Sequence, residues 1–235
     1  MSALAMPYQM VNAVDGRRLS LQQLAMQYDE SRASTAYRSM TPGEIGCALS
    51  HASVYEQMVR ANQDFALVLE DDAYLSEQVP SVLDLLRQTM DPNEPIVLLL
   101  THVNRYVQLG KRNLGQNHAM VRPYAYWWLA HGYVLTRAAA VALHKNVHPI
   151  WTAADSWNAF DRLGIVKVYA LVPYCIGLTE LAQQSNLELE RKPLRFADEL
   201  NRTWKYYIKK YLYDRLIFQL CVRPFLRVTK QPMGL

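Results

Sequence analysis

Phe65-Ala-Leu-Val-Leu-Glu-Asp-Asp72 decides how this chain reads. Five apolar residues in a row, too short a run for a helix, end abruptly in three acids. That length and abrupt end predict a strand buried on both faces. In open α/β sheets ligands bind at the carboxyl ends of strands, where Glu70, Asp71 and Asp72 then stand. Three consecutive carboxylates repel one another unless a cation or strong donors hold them. Carboxylate oxygens are hard ligands, suited to Mg²⁺ or Mn²⁺. A solvated acidic turn is the competing reading, and charge pattern alone does not separate the two.

Upstream, Thr41-Pro-Gly-Glu44 is a helix start: Thr41 caps, Pro42 takes the first helical position and Glu44 completes a capping box. Ile45, Ala48, Leu49, Ala52, Tyr55 and Val59 then recur at the helical period and turn this helix toward a core. His51 lies beside Leu49 and Ala52, at the edge of that stripe, either as a hydrogen-bonded packing residue or as a site residue.

Downstream, a helix is expected from near Pro80 with Val82, Leu83 and Leu86 inward, and Ile96–Leu100 repeats the buried-strand pattern. Residues 104–123 are polar and glycine-bearing and read as a long loop, of the kind that forms lids. Gly132–Thr136 and Val166–Val172 are further strands, with an alanine-rich helix over Arg137–Lys145. Asp155 follows Trp151-Thr-Ala-Ala in a loop flanked by aromatics, either as a site acid or as the cap of a helix through Phe160. Strands alternating with helices predict an α/β domain with a mostly parallel sheet flanked by helices, spanning residues 1–195.

The 235 residues are 51% hydrophobic and 20% charged, the balance of a folded domain. Cys47, Cys175 and Cys221 form no disulfide framework and read as small buried hydrophobes in a reducing compartment. No stretch of about 18 apolar residues and no basic, apolar leader is present, so the expected location is cytoplasmic. Eleven Lys and Arg against three acids give residues 191–235 a charge of +8, leaving −4 for the rest of a chain at +4. Within that tail, residues 196–235, Trp204, Tyr206, Tyr207, Tyr211, Tyr213 and Phe218 interleave with Lys205, Lys209, Lys210, Arg215 and Arg223. Basic residues mixed with amphipathic aromatics suit an interfacial helix on an anionic membrane surface. A helix docked on the main domain is the alternative. No nucleic-acid motif accompanies these residues, and no nucleic-acid partner is expected.

Gly43-Glu-Ile-Gly-Cys-Ala-Leu-Ser-His51 followed by Phe65–Asp72 resembles glycosyltransferase family 25. Asn12-Ala-Val-Asp-Gly16, Gly132-Tyr-Val-Leu-Thr-Arg137, Asp155 and the late Gln183-Gln-Ser185 extend the resemblance over roughly residues 8 to 190. The resemblance implies a GT-A-like fold, a UDP-sugar donor, commonly UDP-galactose, and inversion at the anomeric carbon. It also implies a lipooligosaccharide or lipopolysaccharide acceptor at the inner face of a bacterial cytoplasmic membrane. Asp71 and Asp72 then hold a Mn²⁺ or Mg²⁺ ion, and Glu70, Asp71, Gln184 and Ser185 the nucleotide sugar. Asp155 is the first choice for the base, and His51 the second, with bracing the carboxylates or donating to the diphosphate as its preferred role. The family opens with a strand and a basic segment ahead of the Asn12–Gly16 element, and the sequence as read lacks them. Two other functions fit the same residues: a metal-dependent phosphoesterase, and a catalytically impaired relative that binds a membrane or a partner.

Overall fold

The structure, a computed structural model, describes residues 6–115, 117–124, 127, 129–179 and 211–233. After two short helices, α1 (Leu21–Gln27) and α2 (Glu30–Ala36), the long helix α3 spans Pro42–Arg60. Its expected capping box is present in both directions between Thr41 and Glu44. Glu44 is also gripped by the two terminal guanidinium nitrogens of Arg38, at 2.7 and 2.9 Å. Behind α3 come β1 (Phe65–Leu69), β2 (Ala73–Leu75), α4 (Val79–Thr89) and β3 (Ile96–Leu99). Then follow β4 (Arg105–Leu114), β5 (His118–Pro123), β6 (Gly132–Thr136) and α5 (Arg137–Val147). The last elements are α6 (Trp157–Arg162), β7 (Lys167–Val172), β8 (Ile176–Leu178), a π-helical stretch (Tyr213–Val222), a short helix (Arg223–Leu226) and β9 (Val228–Lys230).

Seven strands form one sheet in the order β1-β6-β3-β7-β5-β4-β9, and β2 pairs with β8 in a small second sheet. The chain is α/β as expected, but the sheet is not mostly parallel. Within the large sheet β3 and β7 run parallel, and the other five adjacent pairs are antiparallel. The difference has a physical cause. A continuous apolar run reports that both faces are covered and carries no information about strand direction. β3 and β6 are buried at every position. Val97 and Leu99 face the core made by α3, α5 and α6, whereas Ile96 and Leu98 face the core made with α4, the period-2 alternation of a central strand.

Two further expectations change. β1 packs on both cores, with Ala66 and Val68 toward one and Phe65, Leu67 and Leu69 toward the other, but as the edge strand beside β6 it is only partly covered, and Val68 is its one fully buried residue. Residues 104–123 are not a loop but the hairpin β4–β5, whose register shifts between Val107 and Arg112. Most of β4 is solvent-exposed, so its sequence is polar and carries no strand signature. No helix among the described residues is long and apolar enough to cross a membrane. The basic, aromatic tail is described from Tyr211 onward. There Phe218 is buried against Tyr124 and beneath the Arg105 guanidinium, and β9 pairs with β4.

Candidate functional site

The site forms where the carboxyl end of β1 meets the first residues of β6, with α3 laid across them. Two glycines fix how α3 is held. A Cβ on Gly16 would stand 1.8 Å from the Pro42 carbonyl oxygen, and one on Gly46 would stand 2.4 Å from the Val14 carbonyl oxygen. The Asn12–Gly16 segment therefore presses backbone to backbone on α3, as only glycine permits. Ser50 completes the clasp, since its hydroxyl donates to Gly46 O (2.8 Å) and accepts from the Val14 amide (2.9 Å). Ser50, which the sequence pairs with His51, is thus a fastening for the N-terminal segment.

One residue on, His51 points the other way and is 6% exposed. Its Nδ1 lies 2.8 Å from the Tyr133 hydroxyl and its Nε2 lies 3.3 Å from Glu70 Oε1. Tyr133, at the start of β6, stacks on the imidazole and places its hydroxyl 3.2 Å from that of Tyr55 on α3. Burial holds both tyrosine hydroxyls well above the ordinary phenol pKa, so the pair stays protonated. His131 is also buried, which lowers its pKa, while the charge of Glu70 pulls it back up. Its carbonyl accepts the Glu70 amide at 3.2 Å and fixes the strand end.

Glu70, Asp71 and Asp72 form a turn at the strand end, with Asp71 exposed and Asp72 half-buried. Burial first, then the charges of Glu70 and Asp71, raise the Asp72 pKa. Its Oδ1 is buried without a hydrogen-bond partner, while its carbonyl accepts the Thr179 amide at 2.9 Å. A buried oxygen with no donor on a half-buried carboxylate, beside two more carboxylates, is what a hard cation would satisfy.

Asp155 is half-buried in the loop before α6. Ser156, not Asp155, is the N-cap of α6, and the Asp155 carbonyl accepts the Trp157 amide at 2.8 Å. Trp157 connects that loop to the cluster, because its ring packs edge-on against Tyr133 at 4.9 Å. Trp151 and Trp157 are 4% and 0% exposed, so their ring faces are core surface and not sugar-stacking platforms. Gln184 and Ser185 lie outside the described residues. Tyr133, Tyr55 and His131 were not named as site residues from the sequence, although Tyr133 sits inside the Gly132–Arg137 motif and Tyr55 in the core-facing stripe of α3.

A family model described as glycosyltransferase family 25 (LPS biosynthesis protein) matches residues 1–157. This chain belongs to glycosyltransferase family 25. Every motif built into the site up to Asp155 falls inside the matched span. A glycosyltransferase 25 family member of Aedes aegypti is 35% identical over 141 residues, 56% of this chain and 22% of that protein. Human procollagen galactosyltransferase 2 is 30% identical over 140 residues, covering 57% of this chain and 22% of its own length. The human inactive glycosyltransferase 25 family member 3 is 31% identical over 105 residues, 44% of this chain and 17% of that protein. This family 25 chain therefore spans about a fifth of the length of the curated relatives it matches.

Proposed function

We propose that this protein transfers a hexose, galactose first among the candidates, from a UDP-sugar to a lipid-linked oligosaccharide of the lipooligosaccharide or lipopolysaccharide class. The observation that carries the reading is the orphaned Oδ1 of Asp72 in a crowded carboxylate turn on a family 25 chain. Asp71 and Asp72 would hold a Mn²⁺ or Mg²⁺ ion, which neutralises charge on the departing diphosphate. Glu70 is oriented by His51, and His51 is held in turn by Tyr133, so the turn is braced from the core side. Inversion needs a base within reach of the acceptor hydroxyl, on the face away from the diphosphate. Asp155 is assigned that proton, and Gln184 and Ser185 are assigned to the nucleotide sugar.

The acceptor class is supported by the family description as LPS biosynthesis proteins. Docking on the inner face of a bacterial cytoplasmic membrane is supported by the tail. There Leu220 and Phe225, 69% and 85% exposed, stand beside Arg223 and Arg227. A second reading, a catalytically silent relative, has its own support in the similarity to inactive member 3.

The test is a transfer assay with UDP-galactose and a soluble oligosaccharide acceptor, with and without EDTA, on the parent and Asp72→Asn. Transfer that EDTA stops and that falls at least about a hundredfold in the variant is the expected outcome. Transfer indifferent to both removes the cation from Asp72. Donor binding without transfer in the parent favours the silent relative, and nucleotide release at full speed without acceptor makes it a hydrolase.

A further inference from the structure

We infer that Cys47, His51 and Glu70 form a second metal site, for a softer divalent cation such as Zn²⁺, separate from the one assigned to Asp71 and Asp72. Among the described residues, the Cys47 thiol, a ring nitrogen of His51 and a carboxylate oxygen of Glu70 all lie within 4.8 Å of one another. Cys47 and His51 are four apart on α3 and project from one helix face, and Glu70 meets them from the end of β1. A tetrahedral zinc with bonds of about 2.0–2.3 Å spaces its donors by roughly 3.3–3.8 Å. His51 Nε2 and Glu70 Oε1 already stand 3.3 Å apart, and the Cys47 sulfur, no more than 4.8 Å from either, has at most about 1 Å to close. Three protein donors of this mixed type leave one position open.

Donor chemistry separates this site from its neighbour. A thiolate and an imidazole favour zinc or cobalt over magnesium, whereas Asp71 and Asp72 offer oxygen alone. The imidazole also has the support that metal-bound histidines carry. When Nε2 gives its lone pair to the ion, Nδ1 carries the proton and donates it to the Tyr133 oxygen at 2.8 Å. Tyr133 then donates its own hydrogen to the Tyr55 oxygen at 3.2 Å. Binding converts the Cys47 thiol to a thiolate, with its proton released to solvent as the sulfur–metal bond forms.

Cobalt(II) gives the direct readout, because a thiolate ligand produces a near-ultraviolet charge-transfer band that oxygen ligands do not. Titrating the metal-free protein with Co²⁺ should raise that band to saturation at one equivalent, and Zn²⁺ should abolish it. Cys47→Ser should lose the band and bind at least about tenfold more weakly, the smallest loss expected at a metal centre. Asp72→Asn should keep the band while losing cation-dependent transfer, so the two sites fail separately. If Cys47→Ser does not fold, maleimide labelling of the parent decides: Zn²⁺ but not Mg²⁺ should slow modification of Cys47. No band, a band that survives Cys47→Ser, or labelling of Cys47 that ignores Zn²⁺ would each overturn the site.

Discussion

Replacing Tyr133 with phenylalanine removes one oxygen from the centre of the protein and leaves the ring in place. That hydroxyl is the shared partner of His51 Nδ1 at 2.8 Å and the Tyr55 hydroxyl at 3.2 Å, and all three residues are buried. Deleting it orphans two polar atoms far from water, at roughly 1–3 kcal/mol each. The longer contact to Tyr55 belongs at the low end and the shorter one to His51 nearer the middle, so about 3 kcal/mol is expected. For a chain of this size that lowers Tm by about 6–12 °C. Tyr55→Phe should cost only about 1 kcal/mol, because Tyr133 keeps His51. The double variant should then be about 1 kcal/mol milder than the sum, since the Tyr55 orphan is gone. Urea unfolding of the four proteins, followed by circular dichroism, measures the cycle. A Tyr133→Phe protein within about 0.5 kcal/mol of the parent would refute the chain of bonds on which the bracing of Glu70 rests.

Gly46→Ala should destabilise by at least about 2 kcal/mol, because the new methyl meets the backbone at Val14 and Gly16 and neither can swing aside; the urea midpoint reads it. Asp72→Asn should raise Tm at pH 7. A carboxyl whose folded pKa is raised contributes stability below its unfolded value, and loses it as pH rises through the folded one, so at neutral pH ionised Asp72 is a cost. The gain should shrink toward zero as pH falls below about 4, and a gain that ignores pH would remove the charge argument. Asp155→Asn should abolish transfer while calorimetry finds UDP-sugar affinity within a few-fold of the parent. Lost donor binding would move Asp155 to the donor side.

Helix α3 was legible almost to the residue, because its start is written in local chemistry: Thr41, Pro42 and Glu44 act within one turn. The position of the acids was legible for a related reason, since a strand of five residues must end where its apolar run ends. Strand direction was not, because Ile96–Leu99 and Gly132–Thr136 look alike whether their neighbours run with or against them. The β4–β5 hairpin was hidden by its own exposure. Tyr133 was hidden by the opposite condition: an apolar strand with one hydroxyl does not announce that the hydroxyl holds a histidine 82 positions away. The burial of Trp151 and Trp157 was not legible either, because aromatic residues beside a loop acid look the same in sequence whether their rings line a site or fill the core.

Strand β9 has a consequence for how the molecule is made. Val228–Lys230 covers the outer edge of β4, and the Gln231 side chain accepts the Val103 amide at 2.8 Å and donates to the Leu171 carbonyl at 3.3 Å. During synthesis the hairpin emerges from the ribosome more than a hundred residues before the strand that will shield it. For that interval the edge of β4 shows unpaired amides and carbonyls to every other nascent chain, the condition under which strands pair wrongly. β4 meets it with Arg105, Lys111 and Arg112, charges that discourage a like strand from docking.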